Sequence, residues 1–395
     1  MKLEVLHMST GSKRKAIVVG AGIGGLCTAL SLQLEGWQVL VYDKATSLRE
    51  AGAGIVLAAN AMKALDLLGV GETVRHVGAP VVQADIRTWE GTVITSLPAA
   101  KQAALYGMQS YVIHRADLQS ILVQAVSERA TIQTHKQWVD GKQSDQGAIA
   151  VFGDGTQEEA DVIIGADGIH SAVREHLFGQ HPVRYSGYLA LRGVCSTEEA
   201  LHGNNGGGFE ALGPGKRFGL SSLGNGRLFW FAAINAPEGN IPPIEMRKAE
   251  LLRQFHGWYS PIVSAIEATE GSTILGHPIF DRPPLRRWSS GRMTLLGDAA
   301  HPMLPNLGQG GAQAIEDAIV LARCLRHSDI PSALLAYEKE RKARTNRIVR
   351  MSRSMGRIVQ LENPLLIYGR NKILASLSDA GYIRRFDSII GYEVQ

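Results

Sequence analysis

Three glycines, Gly20, Gly22 and Gly25, stand at the spacing G-x-G-x-x-G and could bind the phosphates of a dinucleotide. The first permits a tight turn, the second lets the backbone approach a pyrophosphate, and the third lets helix and strand pack closely. Free N–H groups at the start of the following helix would then face the phosphates. A tight strand-to-helix turn without a ligand is the alternative interpretation.

An acid at a suitable distance favours dinucleotide binding. Asp43 follows the apolar run Gln38–Tyr42 and lies 21 residues after Gly22, where a carboxylate can bond a ribose hydroxyl. Together with the β-branched run Ala16–Val19, which precedes the glycines, this pattern predicts a βαβ unit of about 30 residues. The unit does not reveal which dinucleotide binds.

A second glycine-rich segment carries a longer motif. Gly297–Ala312 reads G-D-A-A-H-P-M-L-P-N-L-G-Q-G-G-A, follows the apolar run Met293–Leu296 and leads into a helix through Glu316-Asp317-Ala318. Its acid, Asp298, comes directly after a predicted strand, and its last glycines precede the predicted helix.

Three further segments accompany this motif: Arg115-Ala-Asp-Leu118, Gly165–Arg174 around Asp167-Gly168, and Ala336–Arg341. In this order the segments resemble the FAD-dependent aromatic hydroxylase family, the single-component (class A) flavin monooxygenases. Chain length and motif order are similar to the salicylate, 3-hydroxybenzoate and urate hydroxylases of that family. The resemblance covers most of the chain, and it implies a tightly bound FAD and NAD(P)H as a transient co-substrate.

The resemblance also implies roles for single residues. Asp298 would accept a hydrogen bond from a ribityl hydroxyl, and the N–H groups of Gly310, Gly311 and Ala312 would face the N1–C2=O edge of the flavin. A helix N-terminus there stabilises the negative charge of reduced flavin. The residues expected to contact FAD are Gly20, Gly22, Gly24, Gly25, Asp43, Lys44, Arg49, Gly54, Arg115, Asp167, Asp298, Gly308, Gly310, Gly311 and Ala312.

Several of these assignments have alternatives. Asp167-Gly168 could be only a β-turn, and Arg49 could be a surface partner in a salt bridge. His301 is expected to be a structural hydrogen-bonding group rather than a general base. Many members of the family have Asn just after the G-Q-G, where this chain has Gly311-Ala-Gln313; this departure weakens an assignment to a subgroup.

The function implied by the resemblance is hydroxylation of a small aromatic substrate by O2 through a flavin C4a-hydroperoxide, after reduction by NAD(P)H. No second G-x-G-x-x-G occurs, which agrees with a transient nicotinamide site. Two alternatives stay open: an epoxidase or hydroxylase of a polycyclic or isoprenoid natural product, and an FAD-binding redox protein that oxygenates nothing. A monomer and a homodimer are both compatible with the sequence.

Arg217, Arg192 and Pro305 are the candidate catalytic residues. Pro305 would lie beside the flavin face, and either arginine could bind an anionic substrate, since a planar guanidinium pairs well with carboxylates. Alternation places Tyr188, Ala190 and Arg192 on one face of a strand. A solvated surface charge is the alternative for each arginine.

Two aromatic residues in the run Arg227–Phe231 are candidates for stacking on a substrate ring: Phe229, and Trp230 on the opposite face. A urate-type enzyme of the family has tyrosine where Phe229 stands, which disfavours urate as the substrate.

The elements that must position these residues predict an α/β fold. We expect a Rossmann-like FAD-binding domain from residues 14–180 and 276–332. Alternating apolar runs between glycine-rich turns predict an inserted, mainly antiparallel substrate-binding sheet over 181–275. Helices follow over 333–395.

Composition excludes several other classes. The net charge is +4, but the basic residues alternate with acids, so a nucleic-acid partner is not expected. Cys27, Cys195 and Cys324 are too far apart for a disulfide framework or a metal site. The first 15 residues lack the apolar core of a signal peptide, and no run is long enough for a membrane span. These features predict a cytoplasmic protein without a metal or an integral membrane segment.

Overall fold

The computed structural model describes residues 14–48, 53–128, 130–196, 207–326 and 328–394. Within these ranges the strands are β1 (Lys15–Val19), β2 (Gln38–Tyr42), β3 (Gly54–Leu57), β4 (Ala79–Pro80), β5 (Ala84–Thr88), β6 (Val93–Leu97), β7 (Tyr111–His114), β8 (Thr131–Gln133), β9 (Trp138–Gln143), β10 (Ala148–Phe152), β11 (Gln157–Ala160), β12 (Val162–Gly165), β13 (Arg184–Cys195), β14 (Gly208–Gly213), β15 (Lys216–Gly224), β16 (Arg227–Asn235), β17 (Leu275–Asp281), β18 (Ser289–Ser290) and β19 (Met293–Leu295).

The helices of the same ranges are α1 (Ile23–Leu34), α2 (Ala59–Leu67), α3 (Gly71–Val77), α4 (Ala99–Tyr106), α5 (Arg115–Ser127), α6 (Ala172–Phe178), α7 (Arg247–Gln254), α8 (Ser260–Glu267), α9 (Gly310–Cys324), α10 (Ile330–Val359), α11 (Pro364–Ala375) and α12 (Asp379–Ile390). Short 3₁₀ turns at Gly297–Ala299 and Pro305–Leu307 connect β19 to α9.

A six-stranded sheet places the glycine-rich turn at its centre. The strand order is β18-β19-β12-β1-β2-β8, and every neighbouring pair except β18–β19 is parallel. Its central strands are short and β-branched, and their residues are mostly buried, as parallel strands covered on both faces require. The three apolar runs predicted beside the glycine-rich motifs, Ala16–Val19, Gln38–Tyr42 and Met293–Leu296, lie in this sheet, and the predicted α/β fold is confirmed.

A seven-stranded sheet forms the second layer, in the order β17-β13-β16-β15-β14-β5-β6. It is antiparallel except at β14–β5. Its outer face packs on α7 and α8 through a core that includes Leu251, Ile262 and the fully buried Trp230. Its inner face, which carries Tyr188 and Phe229, turns toward the other elements.

The second sheet also takes strands from outside the predicted insertion 181–275. β5 and β6 come from residues 84–97, and β17 covers 275–281. Strand β5 joins by pairing in parallel with β14, with Ala84 opposite Gly208. Such a pairing depends on chain segments that are distant in sequence, so local alternation does not reveal it.

Helices occupy the C-terminal part, as predicted. Asp329 caps α10 by accepting a hydrogen bond from the N–H of Ser332, and Pro331 lies in the first turn, where its missing N–H costs nothing. Asn363 caps α11 in the same way. Two small antiparallel sheets, β3-β7-β4 and β11-β10-β9, complete the described part of the fold.

Candidate active site

At two positions the turn between β1 and α1 approaches neighbouring atoms so closely that only glycine fits. Gly20 has φ +108°, and a Cβ there would lie 2.5 Å from the carbonyl oxygen of Ala166. A Cβ on Gly25 would lie 1.9 Å from the carbonyl oxygen of Gly20. Gly22 differs, because a Cβ on it would meet no protein atom within 4 Å. Its backbone therefore borders open space, as approach to a pyrophosphate requires.

Side chains from neighbouring elements hold this turn. Asp43, just after β2, accepts hydrogen bonds from the N–H groups of Ala21 and Ala45, both at 2.7 Å. Gln119 of α5 donates to the carbonyl oxygen of Ala21 at 3.2 Å. Lys44 is exposed beside Asp43. The predicted ribose-binding acid is thus anchored to the turn, and Gln119 is a contributor that the motifs did not indicate.

The N-terminus of α9 lies beside the second glycine-rich motif. Gly308 has φ +62°, which turns the chain into the helix that begins at Gly310. A Cβ on Gly310 would lie 4.0 Å from Oδ1 of Asp298. Gly24 packs against the same helix, since a Cβ on it would lie 3.1 Å from Cβ of Ala314. The two predicted FAD motifs therefore meet at one place in the fold.

Asp298 lies in a recess beside the start of α9. Its side chain is open to solvent, but protein surrounds it on most sides. This burial raises the pKa of the carboxyl, while the neighbouring His301 and Arg115 oppose the rise. An acid in such a position is suited to accept a hydrogen bond from a ligand that fills the recess.

The Asp167-Gly168 segment also does more than turn the chain. Oδ2 of Asp167 accepts hydrogen bonds from the N–H groups of Ala172 and Val173, at 2.7 and 3.2 Å, at the start of α6. Its Oδ1 is buried and has no hydrogen-bond partner among the described residues. Arg174, in the same motif, donates to the carbonyl oxygen of Ala299 at 3.1 Å and so joins the Gly165–Arg174 segment to the second glycine-rich motif.

The remaining predicted FAD contacts lie around the same recess, except for Arg49, which lies outside the described residues. Arg115 begins α5, and its backbone N–H donates to the carbonyl oxygen of Ala53 at 2.8 Å. Gly54 begins β3, where a Cβ would lie only 2.4 Å from Cγ of Phe229. Phe229 on the inner face of the second sheet therefore packs directly on the strand predicted to border the flavin.

Arg217 is buried on the inner face of the second sheet and is not a surface charge. It donates hydrogen bonds from Nη1 to Glu210 at 2.9 Å and from Nη2 to Oδ1 of Asn306. Its Nε is buried and has no hydrogen-bond partner among the described residues. The guanidinium also lies over the rings of Tyr188 and Phe231.

Asn306 connects this arginine to the loop that enters α9. Its Oδ1 also accepts a hydrogen bond from the hydroxyl of Tyr188 at 3.1 Å, and its Nδ2 donates to the carbonyl oxygen of Ser352 at 2.9 Å. Asn306 was not singled out from the sequence, although it directly follows Pro305 in the second motif. Pro305 itself is exposed in the same loop.

Arg192 lies on the predicted face of β13 with Tyr188 and Ala190, half-buried. It forms no ion pair with the described residues. Burial lowers the pKa of its guanidinium, and the positive charge of Arg115 lowers it further. Burial lowers the pKa of His277 on β17, and the positive charges of Arg192 and Arg247 lower it further. This side of the recess is therefore rich in positive charge.

The suggestion that Trp230 stacks on a substrate was wrong. Trp230 is fully buried on the outer face, stacked on Phe218, and donates a hydrogen bond to Oγ1 of Thr269 at 2.8 Å. Side chains alternate between the two faces of a strand. On β16, Phe229 therefore points to the inner face, and Trp230 points into the core formed with α7 and α8.

His301 belongs to a buried charged network behind the recess. Its Nε2 lies 2.5 Å from Oδ2 of Asp317, and Arg341 of α10 donates to Oδ1 of Asp317 at 2.7 Å. Arg341 also donates to Glu316 at 2.6 Å, and Asn60 of α2 donates to the other oxygen of Glu316 at 2.6 Å. The Glu316-Asp317 pair of the motif thus fastens α9 to α10 and α2.

These residues fit FAD. Open space lies beside Gly22, the acid Asp298 is open to solvent, and the start of α9 lies beside that acid. Asp167 adds a buried oxygen without a partner among the described residues. The described residues include no group of three or more acids, histidines and cysteines that could hold a metal ion.

The chain is similar to known proteins along almost its whole length. A model of the FAD binding domain family matches residues 13–352. The aurachin C monooxygenase/isomerase of Stigmatella aurantiaca is 40% identical over 92% of this chain and 94% of that protein. The 6-hydroxynicotinate 3-monooxygenase of Pseudomonas fluorescens is 34% identical over 89% of this chain and 94% of that protein.

A crystal structure shares the fold. That of Klebsiella pneumoniae HpxO complexed with FAD and uric acid superposes with a TM-score of 0.90 at 31% identity, covering 96% of this chain and 97% of that chain. Among the helices of the described residues, none combines the length and the apolar character needed to cross a bilayer.

Proposed function

Because this chain belongs to the FAD-binding domain family, as an FAD-dependent monooxygenase of the aromatic hydroxylase type, we propose that it hydroxylates a small electron-rich aromatic ring. NAD(P)H would provide the electrons and O2 the oxygen atom. The substrate ring would carry a carboxylate or an ionisable hydroxyl.

The observation that carries this proposal is the buried contact of Arg217 with Asn306. The arginine belongs to the second sheet, whereas the asparagine belongs to the loop that enters α9. A fixed positive charge therefore lies between a mostly aromatic wall and the helix start predicted to face the flavin. A mainly apolar pocket with a few convergent polar groups is the usual form of a small-molecule site.

When bound, FAD would supply the chemistry that transfers one oxygen atom from O2 to the substrate. The protein residues hold the reactants in place. The N-terminus of α9 stabilises negative charge at its first turn, and Arg217 orients an anionic ring against the wall of Phe229 and Phe231. Tyr188 and Asn306 hold the guanidinium, so little reorganisation accompanies the reaction.

A second candidate keeps the cofactor and changes the substrate to a polycyclic or isoprenoid natural product. The apolar character of the inner face favours it, since Phe229 packs there with Val112 and Leu223, and the partly buried Val194 packs against them. Phe229 has no hydroxyl, which favours an apolar ring system over a polar purine at this position. Arg192 is available in both cases to bind an anionic group.

A substrate panel distinguishes the two candidates. Holoenzyme is mixed with NADH or NADPH and with aromatic acids, phenols, ring-hydroxylated N-heterocycles or isoprenoid-substituted quinolones, and both NAD(P)H oxidation and oxygenated product are measured. Product formed from a simple acid or phenol supports the first proposal. Turnover restricted to large apolar substrates supports the second. Faster NAD(P)H oxidation that yields only hydrogen peroxide with every compound contradicts both.

A further inference from the structure

Helix α11 exposes an unusually apolar face. Leu365 is 81% exposed, and Leu366, Tyr368 and Ile373 are 57%, 65% and 63% exposed. Tyr368 is three positions after Leu365, and Ile373 is seven positions after Leu366 and eight after Leu365, so each residue has a neighbour of this set on its side of the helix. We call the exposed side that carries these four residues the α11 face. Soluble monomers seldom expose a contiguous apolar surface of this kind unless it binds something.

A row of arginines leads to this face. Residues 341–361, which include the last part of α10, contain seven basic residues and no acid. Four of the seven bind acids of the protein: Arg341, Lys342, Arg344 and Arg353. The other three, Arg347, Arg350 and Arg357, are exposed and form no ion pair with the described residues.

The end of α10, which carries Arg357, packs against α11. Arg370 of α11 is buried and donates to the carbonyl oxygens of Ile358 and Val359 at the end of α10, so the helices are packed together there. Ile358, directly after Arg357, is itself 40% exposed. Within α11, the ammonium group of Lys372 lies over the ring of Tyr368. The pair thus combines an apolar ring and an aliphatic chain with one positive charge.

We propose that the α11 face and the three arginines bind the surface of an anionic phospholipid membrane. The apolar side chains would enter the boundary between headgroups and acyl chains, and the arginines would meet the phosphates. Charge argues against a second copy of the chain as the occupant. A two-fold interface brings the same surface of each copy together, so two surfaces rich in exposed arginines would face each other and repel.

The test uses full-length holoenzyme and vesicles. Co-sedimentation with phosphatidylcholine vesicles that contain about a quarter phosphatidylglycerol is compared with sedimentation by pure phosphatidylcholine. Binding to the anionic vesicles should exceed binding to the neutral ones and should weaken as salt rises, since the arginines are exposed to screening. Absence of binding to the anionic vesicles, or equal binding to both kinds, overturns the proposal.

Two double variants assign the binding to the surface. Arg350→Ser/Arg357→Ser should weaken binding to anionic vesicles by about thirtyfold. Each arginine near an anionic surface contributes about 1 kcal/mol, and about 1.4 kcal/mol corresponds to a tenfold change in affinity. Leu365→Ser/Leu366→Ser should weaken it by about tenfold or more. Both should keep their FAD content, because the changed side chains are exposed.

Matched variants elsewhere provide the control. Lys142→Ser/Arg287→Ser removes two exposed charges, and Leu34→Ser/Leu67→Ser removes two leucines that are 50% and 56% exposed. Both should bind vesicles like the unchanged protein, and an equal loss in these controls contradicts the assignment. A dimer in analytical ultracentrifugation that becomes monomeric in Leu365→Ser/Leu366→Ser shows self-association and also overturns the proposal.

Discussion

The absence of a side chain has different consequences at Gly22 and Gly25 of the turn between β1 and α1. At Gly25 the adjacent atom is a backbone oxygen of the protein, 1.9 Å from where a Cβ would stand. At Gly22 the protein provides no adjacent atom within 4 Å, and φ is −73°, which any residue can adopt. We therefore expect Gly25 to be needed for folding and Gly22 to be needed for binding of the cofactor.

The change Gly22→Val should remove FAD without unfolding the protein. The branched side chain fits the protein but fills the space through which a pyrophosphate approaches the backbone. Flavin absorbance should be lost, while the melting temperature should match that of wild-type protein stripped of FAD. Gly25→Val should instead unfold the protein. Purification of Gly22→Val with a full flavin spectrum would show that this turn does not bind the cofactor.

Asp298 offers a second test at the residue scale. Loss of a hydrogen bond to an ionised acceptor costs about 1.5–3 kcal/mol, so Asp298→Ala should bind FAD roughly ten- to a hundredfold more weakly. Flavin titration of the apoprotein measures the dissociation constant. Asp154→Ala is the control, because Asp154 is an exposed acid bonded to Lys136 and Thr156. Equal constants for Asp298→Ala and the wild type would remove Asp298 from the site.

At the scale of elements, ion pairs rather than apolar contacts alone fix the position of α9. Glu316 and Asp317 are fully buried on α9, and Arg341 of α10 binds both. Burying these acids raises the pKa of Asp317, but the charges and hydrogen bonds of His301 and Arg341 outweigh that effect and lower it to about 2. The helix start beside Asp298 is thus held in place by a buried network of charged side chains.

Arg341→Met should therefore destabilise the fold strongly. Removing one partner from a buried pair leaves uncompensated charge and costs about 3–5 kcal/mol. Urea unfolding followed by circular dichroism measures the loss. Arg323→Met is the control, since its pair with Glu340 is partly exposed and is worth about 1 kcal/mol or less. A loss of similar size in both variants would show that the buried network has no special weight.

The same network predicts a dependence on acid. Because the pKa of Asp317 is lower in the folded chain than the usual value of about 3.9, its ionised form stabilises the fold above that pH. This contribution is lost as the pH falls from about 4 toward about 2. The free energy of unfolding of Asp317→Asn should change less with pH over this range. A parallel decline in the two proteins would contradict the assignment.

On the scale of the whole molecule, Arg217 joins the second sheet to the loop that enters α9, at the proposed substrate site. Its guanidinium, on β15, binds Glu210 on β14 and Asn306 in the loop before α9. The contact has two consequences: it neutralises part of the arginine's charge, and it links the position of the second sheet to the entry of α9. A substrate anion would thus meet a charge that is already held in place.

Arg217→Ala should leave FAD bound and lower kcat/KM by about a hundredfold, or about 2.7 kcal/mol. A misplaced substrate should also increase hydrogen peroxide per NAD(P)H consumed. Arg217→Lys should restore only part of the activity, because an ammonium lacks the planar fork. Lys216→Ala is the control, since Lys216 on the same strand donates to the carbonyl oxygen of Gln254 of α7. Unchanged coupling in Arg217→Ala would exclude Arg217 and leave Arg192 as the candidate.

Local sequence was sufficient to determine the motifs and the elements that carry them. The glycine turn, Asp43, Asp298 and the start of α9 depend on residue type and short spacing, because strands, tight turns and helix starts have local physical requirements. The family and its cofactor follow from these segments in order, and the comparisons confirm both.

Only the tertiary structure decided which of these residues meet and what else they bind. Burial of Arg217, its contacts with Glu210 and Asn306, and the withdrawal of Trp230 to the outer core depend on sheet pairing between distant segments. The addition of β5 to the second sheet is of the same kind. Contacts between sheets and helices depend on how whole elements pack. This packing cannot be inferred from the spacing of residues along the chain.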